Sequence, residues 1–479
     1  MVKVAVVDSG GRGNAIAYCF SKSPKVEKVY VLPGNAGSYL FDECVAVSEI
    51  GSIRNIEETF EFVKKKDVSL TFVGPEAPIS KGIGNLFEEN GLSIIAPTKE
   101  AAVLETSKCW TKDYLKRIGV PVPNYKNFDD PEKGKDYAKK FYDENPGKNL
   151  VVKADGIAEG KGAFVCNSLE DTLNAIDIVT GEKFNEKYNN AGRRFEIEER
   201  LYGNELSFFA ITDGKNVVDF GTAKDYKRRF ERGDHPFIRQ YFNGINPNTG
   251  GMGSYSPEPV GEEFKEIIME KIVEPVVKNL NHKYKGILHF VLMKEENENI
   301  PKVLEINVRD GDPEAQSRLP RLLTDIYEIS KAILEGNLDE INIKWEQKHC
   351  VAVCAISGPL SKETGGIRRR VCEGYPGEHH TNQKIYIIPK ENPEKYRYPM
   401  KIKEEWGAGK NMSKYLDENC LCFCNGVAFD EKDKFVTSGG RVLTIVGKGN
   451  TREEAIEIAY NNINKIWFNG MAFRKDIGL

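Results

Sequence analysis

The sequence of 479 residues has no run of about eighteen apolar residues, so no segment is expected to span a membrane. Neither sign of charge is in excess. Its 68 basic and 72 acidic side chains leave a net charge of −4, which gives no reason to expect a nucleic-acid or anionic-membrane surface. The first apolar run, residues 2–7, lacks the charged start and cleavage site of a signal peptide, so a cytoplasmic protein is expected. Ten cysteines are present without paired spacing. Cys420, Cys422 and Cys424 alternate on one face of a strand; metal sites use wider loops, so buried thiols in a reducing cytosol are the expectation. There is no internal repeat and no low-complexity segment.

What is present is an ordinary globular composition, 40% hydrophobic and 29% charged, in a chain too long for one core. Residues 1–105 alternate between strands (2–7, 28–32, 69–73, 92–96) and helices (14–21, 56–65, 81–89), the pattern of a small parallel α/β unit. A helix over 107–118 and the stiff stretch Gly119-Val120-Pro121-Val122-Pro123 open a second region over 106–336. That region holds a small lobe at about 124–197, a long helix over 262–280 and a helix over 322–334 that ends at Gly336. Residues 337–479 alternate again and close with a helix over 452–464.

The most informative stretch is Leu304-Glu305-Ile306-Asn307-Val308-Arg309-Asp310-Gly311-Asp312-Pro313-Glu314. Glu305, Asn307 and Arg309 are two residues apart, so a strand points all three to one face. In a core each would need its own partner. Around a metal-bound polyphosphate, Glu305 and Asn307 offer hard oxygens to Mg²⁺ and Arg309 a planar fork to phosphoryl oxygens. The alternative is an edge strand with a solvated polar face.

Four further motifs carry chemistry. Asp8-Ser9-Gly10-Gly11-Arg12-Gly13-Asn14-Ala15 follows a strand and opens a helix, which suits either an anion or a tight structural turn. It is a poor dinucleotide fingerprint, since Asp8 takes the first glycine position and the second strand ends Val31-Leu32-Pro33-Gly34-Asn35. Lys153 at a strand end and Lys161 in the hairpin 155–162 can meet a triphosphate; a solvated hairpin is the alternative. Glu198-Glu199-Arg200-Leu201, with Glu205 just beyond, can line an adenine edge and accept from ribose hydroxyls. Lys224-Asp225-Tyr226-Lys227-Arg228 and Pro247-Asn248-Thr249-Gly250-Gly251-Met252-Gly253 flank a basic, aromatic loop, and the glycines let backbone amides crowd a carboxylate or phosphate.

With these motifs in this order, the chain resembles the glycinamide ribonucleotide synthetases, or phosphoribosylamine–glycine ligases, of the ATP-grasp superfamily. The likeness runs nearly end to end, through Gly10-Gly11-Arg12, Gly74-Pro75-Glu76-Ala77-Pro78, Ser107-Lys108, Lys153-Ala154-Asp155-Gly156, Pro247 to Gly253, Gly311-Asp312-Pro313-Glu314 and Ser438-Gly439-Gly440-Arg441-Val442-Leu443. The resemblance implies an α/β ATP-grasp ligase with three parts. These are an N-terminal parallel α/β domain for the phosphoribosyl group (1–105), a two-lobed ATP-grasp core (106–336, mobile lobe about 124–197) and a small C-terminal α+β domain (337–479). It implies that ATP, glycine and 5-phosphoribosylamine give glycinamide ribonucleotide, ADP and phosphate through a glycyl phosphate, with Mg²⁺ or Mn²⁺. The expected partners are these small molecules alone, and the chain is expected to be a monomer or weak homodimer.

By resemblance Lys108, Lys153 and Lys161 hold ATP phosphates, Glu198 with Leu201 lines the adenine pocket, and Glu205 takes the ribose. Glu305 and Asn307 ligate the metal, and Arg309 steadies the phosphoryl group in flight. Asp225, Lys227, Asp312 and the loop Asn248, Thr249, Gly250, Gly251 and Met252 shape the acyl-acceptor site. Gly11, Asn35 and Glu76 face the phosphoribosyl group.

The chain also departs from the family. Gly13-Asn14 stands where the family reads Glu-His, and Asp310 stands where it has Phe, which is expected to add negative charge beside the metal face. The stretch between Lys227 and Pro247 is longer and rich in charge and aromatics (Arg228, Arg229, Phe230, Arg232, His235, Phe237, Arg239, Tyr241, Phe242), and reads as a lid or a surface loop. The strand 287–293 carries no metal carboxylate. A same-family ligase acting on another amine or acid, and a nucleotide-binding protein without ligase activity, are the competing readings.

Overall fold

The computed structural model describes residues 1–158, 161–231, 233, 238, 246–282, 284–364, 367–388 and 404–479. Most of the expected lid or surface loop, including Arg232, His235, Phe237, Arg239, Tyr241 and Phe242, lies outside the described residues, as does Gly160 of the hairpin.

The N-terminal part is a parallel sheet of β1 (Val2–Asp8), β2 (Val26–Pro33), β3 (Cys44–Ala46), β4 (Leu70–Val73) and β5 (Ile94–Ile95), in the order β3-β2-β1-β4-β5. Val4, Ala5, Val6 and Val7 are fully buried, the continuous apolar run needed by a parallel strand covered on both faces. β1 pairs with β2 on one side and β4 on the other. The strand order therefore reverses at β1, and the loop after Asp8 emerges at the crevice where open α/β sheets take ligands. The helix Gly11–Ser21 begins one turn beyond.

The second part is an antiparallel lobe of β6 (Tyr125–Phe128), β7 (Leu150–Ala154), β8 (Ala163–Val165) and β9 (Phe195–Glu199). It has its own core, including Phe128, Val152, Ile176 and Phe195. Its helix Pro131–Glu144 starts where its sequence says it should. Asp130 accepts from the amides of Glu132 and Lys133, and Pro131 occupies the first turn, where a missing N–H costs nothing.

The third part is a large antiparallel sheet in the order β14 (Lys302–Asn307), β13 (Gly286–Lys294), β10 (Asn204–Thr212), β11 (Val217–Asp225), β12 (Gly253–Ser256), β15 (His349–Ser357), then Arg441–Gly449 and Cys420–Cys424. β12 pairs with β15, so one sheet carries strands from both sides of residue 337. Cys420, Cys422 and Cys424 are buried free thiols on its last strand.

Two helices differ from their sequence pattern. The long helix expected over 262–280 is interrupted: Lys265–Ile268 passes through a wider turn, Met269–Val273, into Glu274–Asn279. Pro275 has no N–H to donate to the preceding turn, which breaks the regular ladder. The helix expected from 322 starts at Ile326, because the Asp325 carboxylate accepts from the Tyr327 amide and caps it there. It ends at Gly336 with φ +75°.

Asp310 does not add charge beside the metal face. Its carboxylate turns inward, where both oxygens accept from Arg318 Nη2 at 2.6 Å. Both side chains are essentially inaccessible to solvent. The Arg318 guanidinium lies 4.2 Å from the Phe209 ring and 4.6 Å from the Phe220 ring, and donates to the Phe220 carbonyl at 2.6 Å. A cation in such apolar surroundings needs a partner, and Asp310 is that partner. Asp310→Asn and Arg318→Met, each alone, are expected to destabilise the protein by about 3–5 kcal/mol in urea unfolding. The double variant Asp310→Phe with Arg318→Leu should recover most of that loss; single variants with unchanged midpoints would show that the pair does not hold this core.

Candidate active site

The floor of the site is the end of β14. Pairing with β13 sets Glu305 opposite Val291 and Asn307 opposite His289. Lys227, just past β11, reaches Glu305 at 3.8 Å and Glu205 at 3.2 Å. Burial alone would raise the Glu305 carboxyl, but Lys227, Lys108 and Lys153 hold it well below the ordinary range, so it is ionised. Arg309 lies beyond the strand end. Its guanidinium pairs with Glu76 at 3.3 Å and Glu105 at 3.1 Å, and donates to Asn307 Oδ1 at 3.2 Å. Glu105 also accepts the Val308 amide at 2.8 Å. Sequence reasoning missed Glu105, which sits in no recognisable motif.

Beside the floor is a closed set of four charges. Lys153 on β7 meets Glu198 on β9 at 2.5 Å and donates to the Leu304 carbonyl at 3.0 Å. Lys112, on the helix Lys108–Arg117, meets the other Glu198 oxygen at 2.7 Å and the Val303 carbonyl at 3.0 Å. Burial opposes the Glu198 charge, but the two ammonium groups outweigh it and hold its carboxyl low. Glu196 is different. It is fully buried, 4.0 Å from both lysines, and neither of its oxygens has a hydrogen-bond partner. Burial and the neighbouring Glu198 charge push its carboxyl up to about 8, against the pull of the lysines. Lys112 and Glu196 were also missed, although Glu196-Ile197-Glu198 is the alternation that puts both carboxylates on one face.

Around this pocket, Lys108 opens its helix and its amide donates to the Asp155 carbonyl at 3.0 Å. Leu201 lies in the crossover from β9 to β10, and Glu205 near the start of β10. Lys161 is exposed at the hairpin, apart from the charged set.

The third wall is the glycine loop. The Thr249 amide and hydroxyl both donate to the Lys227 carbonyl, and the Gly251 amide donates to Thr249 Oγ1. Gly251 has φ +111°, and a Cβ there would come within 2.3 Å of the Pro313 ring. Beneath it lies Asp225, whose Oδ1 is buried without a partner. Burial and the Glu314 charge raise the Asp225 carboxyl. Asn248 bridges to Arg228, and the Met252 amide donates to the Tyr226 carbonyl. From the C-terminal region, Arg441 pairs with Asp312 at 3.1 Å and donates to the Gly250 carbonyl at 2.8 Å. Asn425 reaches Asp312 at 3.3 Å. The Ser438 to Leu443 motif was the available signal for Arg441.

The first glycine loop closes the site from the N-terminal side. Gly11 abuts Gln316 and Asn425, leaving no room for a side chain. Glu76 is at the Arg309 clamp. Asn35, expected to face the substrate, is instead a tie: its amide nitrogen donates to the carbonyls of Ser9 at 2.9 Å and Cys424 at 2.8 Å, and its oxygen accepts the Gly37 amide. The structure thus gathers Lys108, Lys153, Glu198, Glu205, Asp225, Lys227, Glu305, Asn307, Arg309, Asp312, Glu76 and the loop 248–252 around one cleft, with Lys161 outside the charged cluster.

Family models match the chain in three blocks: the N domain of phosphoribosylglycinamide synthetase over residues 2–105, its ATP-grasp (A) domain over 106–315 and its C domain over 370–479. The chain is 44% identical to the phosphoribosylamine–glycine ligase of Archaeoglobus fulgidus, across 100% of this chain and 99% of that protein. It is 36% identical to that of Escherichia coli K12, across 100% and 98%. The crystal structure of the phosphoribosylamine–glycine ligase of Thermotoga maritima superposes with a TM-score of 0.72 at 28% identity, covering 99% of this chain and 100% of that one. Biotin carboxylase of Campylobacter jejuni shares the fold, with a TM-score of 0.66 at 15% identity over 98% and 93%. From its N domain through its ATP-grasp domain to its C domain, this chain belongs to the phosphoribosylglycinamide synthetase family.

Proposed function

We propose that the chain joins glycine to 5-phosphoribosylamine with ATP, giving glycinamide ribonucleotide, ADP and phosphate in purine biosynthesis. The observation that carries this reading is the meeting, in one cleft, of the buried lysine–glutamate set, the Glu305–Asn307 floor and the Arg309–Glu76 clamp from the N-terminal sheet. A glycine carboxylate oxygen attacks the γ-phosphorus of ATP, the bond to the β-phosphate oxygen breaks, and glycyl phosphate and ADP form. The amine of phosphoribosylamine then attacks the acyl carbon, phosphate leaves, and the nitrogen loses a proton. No covalent enzyme intermediate is required, so the chain's contribution is positioning and charge.

In this reading Lys108, Lys153 and Lys161 meet ATP phosphates, Glu198 and Leu201 line the adenine pocket, and Glu205 takes the ribose. Arg309 steadies the transferring phosphoryl group. Lys227, Asp312 and the loop 248–252 hold the acyl end. Asp225 Oδ1, buried without a partner, is placed to accept a hydrogen bond from the glycine ammonium. Gly11 and Glu76 face the phosphoribosyl group, and Asn35 holds that wall in place. Glu305 and Asn307 fit a hard divalent cation: one is ionised, the other offers an amide oxygen, and a cation such as Mg²⁺ completes its shell with phosphate oxygens and water. When bound, such a cation screens the charge on the phosphates; Mn²⁺ would fit the same oxygens. The division at 105 and 336, a mobile lobe at about 124–197, a cytoplasmic setting and a monomer or weak homodimer working on small molecules alone belong to the same proposal. Among the described residues no helix is long and apolar enough to cross a membrane.

ADP release that requires glycine and phosphoribosylamine together tests the reaction; turnover with a different amine but not with this one would refute it. Glu305→Ala should lower Mg-ATP turnover by about 100-fold or more at unchanged thermal stability. Unchanged turnover would mean that the metal face lies elsewhere.

Glu196 gives a pH signature for the nucleotide pocket. Its folded carboxyl lies near 8, above the ordinary glutamate value of 4.5. The folded state therefore holds an extra proton between those values, and the stability linked to it is complete below about 4.5 and lost as pH rises through about 8. Glu196→Gln keeps an uncharged group at every pH. Its melting temperature relative to the parent protein should rise steadily from pH 5 to pH 9; parallel profiles would show that Glu196 is ionised throughout.

A further inference from the structure

The first loop departs from its family at Gly13, and the space at that position is already taken. Asp8 is 4% exposed, and a Cβ built on Gly13 would lie 2.4 Å from the Asp8 Cβ. A Cβ on Gly74 would lie 2.2 Å from Asp8 Oδ2, and one on Gly10 would lie 3.5 Å from Oδ1. Three glycines therefore enclose one carboxylate. Its Oδ2 accepts from Arg12 Nε at 2.9 Å, and its Oδ1 accepts the amides of Ser9 at 2.7 Å and Gly10 at 2.8 Å. Those two amides, which a glycine loop would otherwise turn toward an anion, are committed internally. The positive group this loop presents is Arg12, whose Nη1 donates to the Asp310 carbonyl at 3.0 Å. Asp310 is itself fixed by Arg318. Both departures from the family pattern, at 13 and at 310, thus meet on one guanidinium. Its electrostatic neighbours include Arg309, Asp312 and Glu76, the residues of the clamp and the acceptor wall.

We infer that Asp8 is the positioning residue for Arg12 at the phosphoribosylamine site, supplying from the end of β1 the carboxylate that the family carries one residue after the arginine. The inference rests on the proposed placement of phosphoribosylamine against the first loop. A carboxylate can enter this glycine-walled space from position 8 or from position 13, but not from both. Either entry leaves one negative charge beside Arg12 and keeps its guanidinium turned along the crevice at the end of β1.

The test is an exchange of the carboxylate, read in steady-state kinetics on the full chain. Asp8→Asn should raise KM for phosphoribosylamine about tenfold, leave KM for ATP and for glycine within about twofold, and keep the melting temperature, since one charged hydrogen bond is lost without a change of shape. Gly13→Glu alone should lose more activity, because the new side chain collides with Asp8. Asp8→Gly combined with Gly13→Glu should return KM for phosphoribosylamine to within about threefold of the parent chain. A purely structural role would instead move all three KM values or the melting temperature together. That result overturns the inference, as does an exchanged double variant no better than Gly13→Glu alone. A parent chain that releases no ADP with glycine and phosphoribosylamine overturns the proposed function itself, whereas an active parent with unresponsive variants overturns only the role of Asp8.

Discussion

Arg309 is the side chain on which the arrangement of the cleft depends. It sits past the end of β14, is anchored by Glu76 from the N-terminal sheet and Glu105 from the junction, and holds the Asn307 amide oxygen. Burial would weaken its charge, but the two carboxylates more than offset this and hold its proton firmly. Isolated surface pairs contribute little, whereas a largely buried cation with two partners fixes the relative placement of the elements that supply them. The N-terminal crevice and the floor of the large sheet are therefore registered through one guanidinium, and the other charges of the site are set relative to it.

The second organising feature is the buried set of Lys112, Lys153, Glu196 and Glu198. The lysine best placed for phosphate is already paired with the glutamate best placed for adenine, at 2.5 Å. A nucleotide entering there exchanges partners within a desolvated cluster instead of meeting unpaired charge. Lys112 remains on Glu198 throughout such an exchange, which limits the cost of separating the pair.

Much of this was legible in the sequence because it is local. Alternation over Glu305, Asn307 and Arg309, the strand-end lysine at 153 and the glycines at 250 and 251 each carry their meaning within a few residues. The parallel order of the first sheet followed from alternating strands and helices. What was not legible depends on partners distant in the chain. Glu196 matters only because β7 and β9 pair and a helix brings Lys112 beneath them. Arg441 matters because its strand extends the same sheet. Asp310 looked like a change at the metal face until Arg318, eight residues on, turned it inward. The helix over 262–280 read as continuous because its apolar spacing survives the break at Pro275.

The pairing of β12 with β15 bears on how the gene can be divided. A chain cut near residue 337 would leave β12 with a bare row of amides and carbonyls along its length, a ready template for self-association. It would also remove Arg441 from Asp312 and the Asn35 tie from the Cys424 carbonyl. The family's three domain blocks are therefore not three separable modules here. A fusion or a split reporter built on this protein belongs at its ends, and its last third has to be made in the same molecule as the rest.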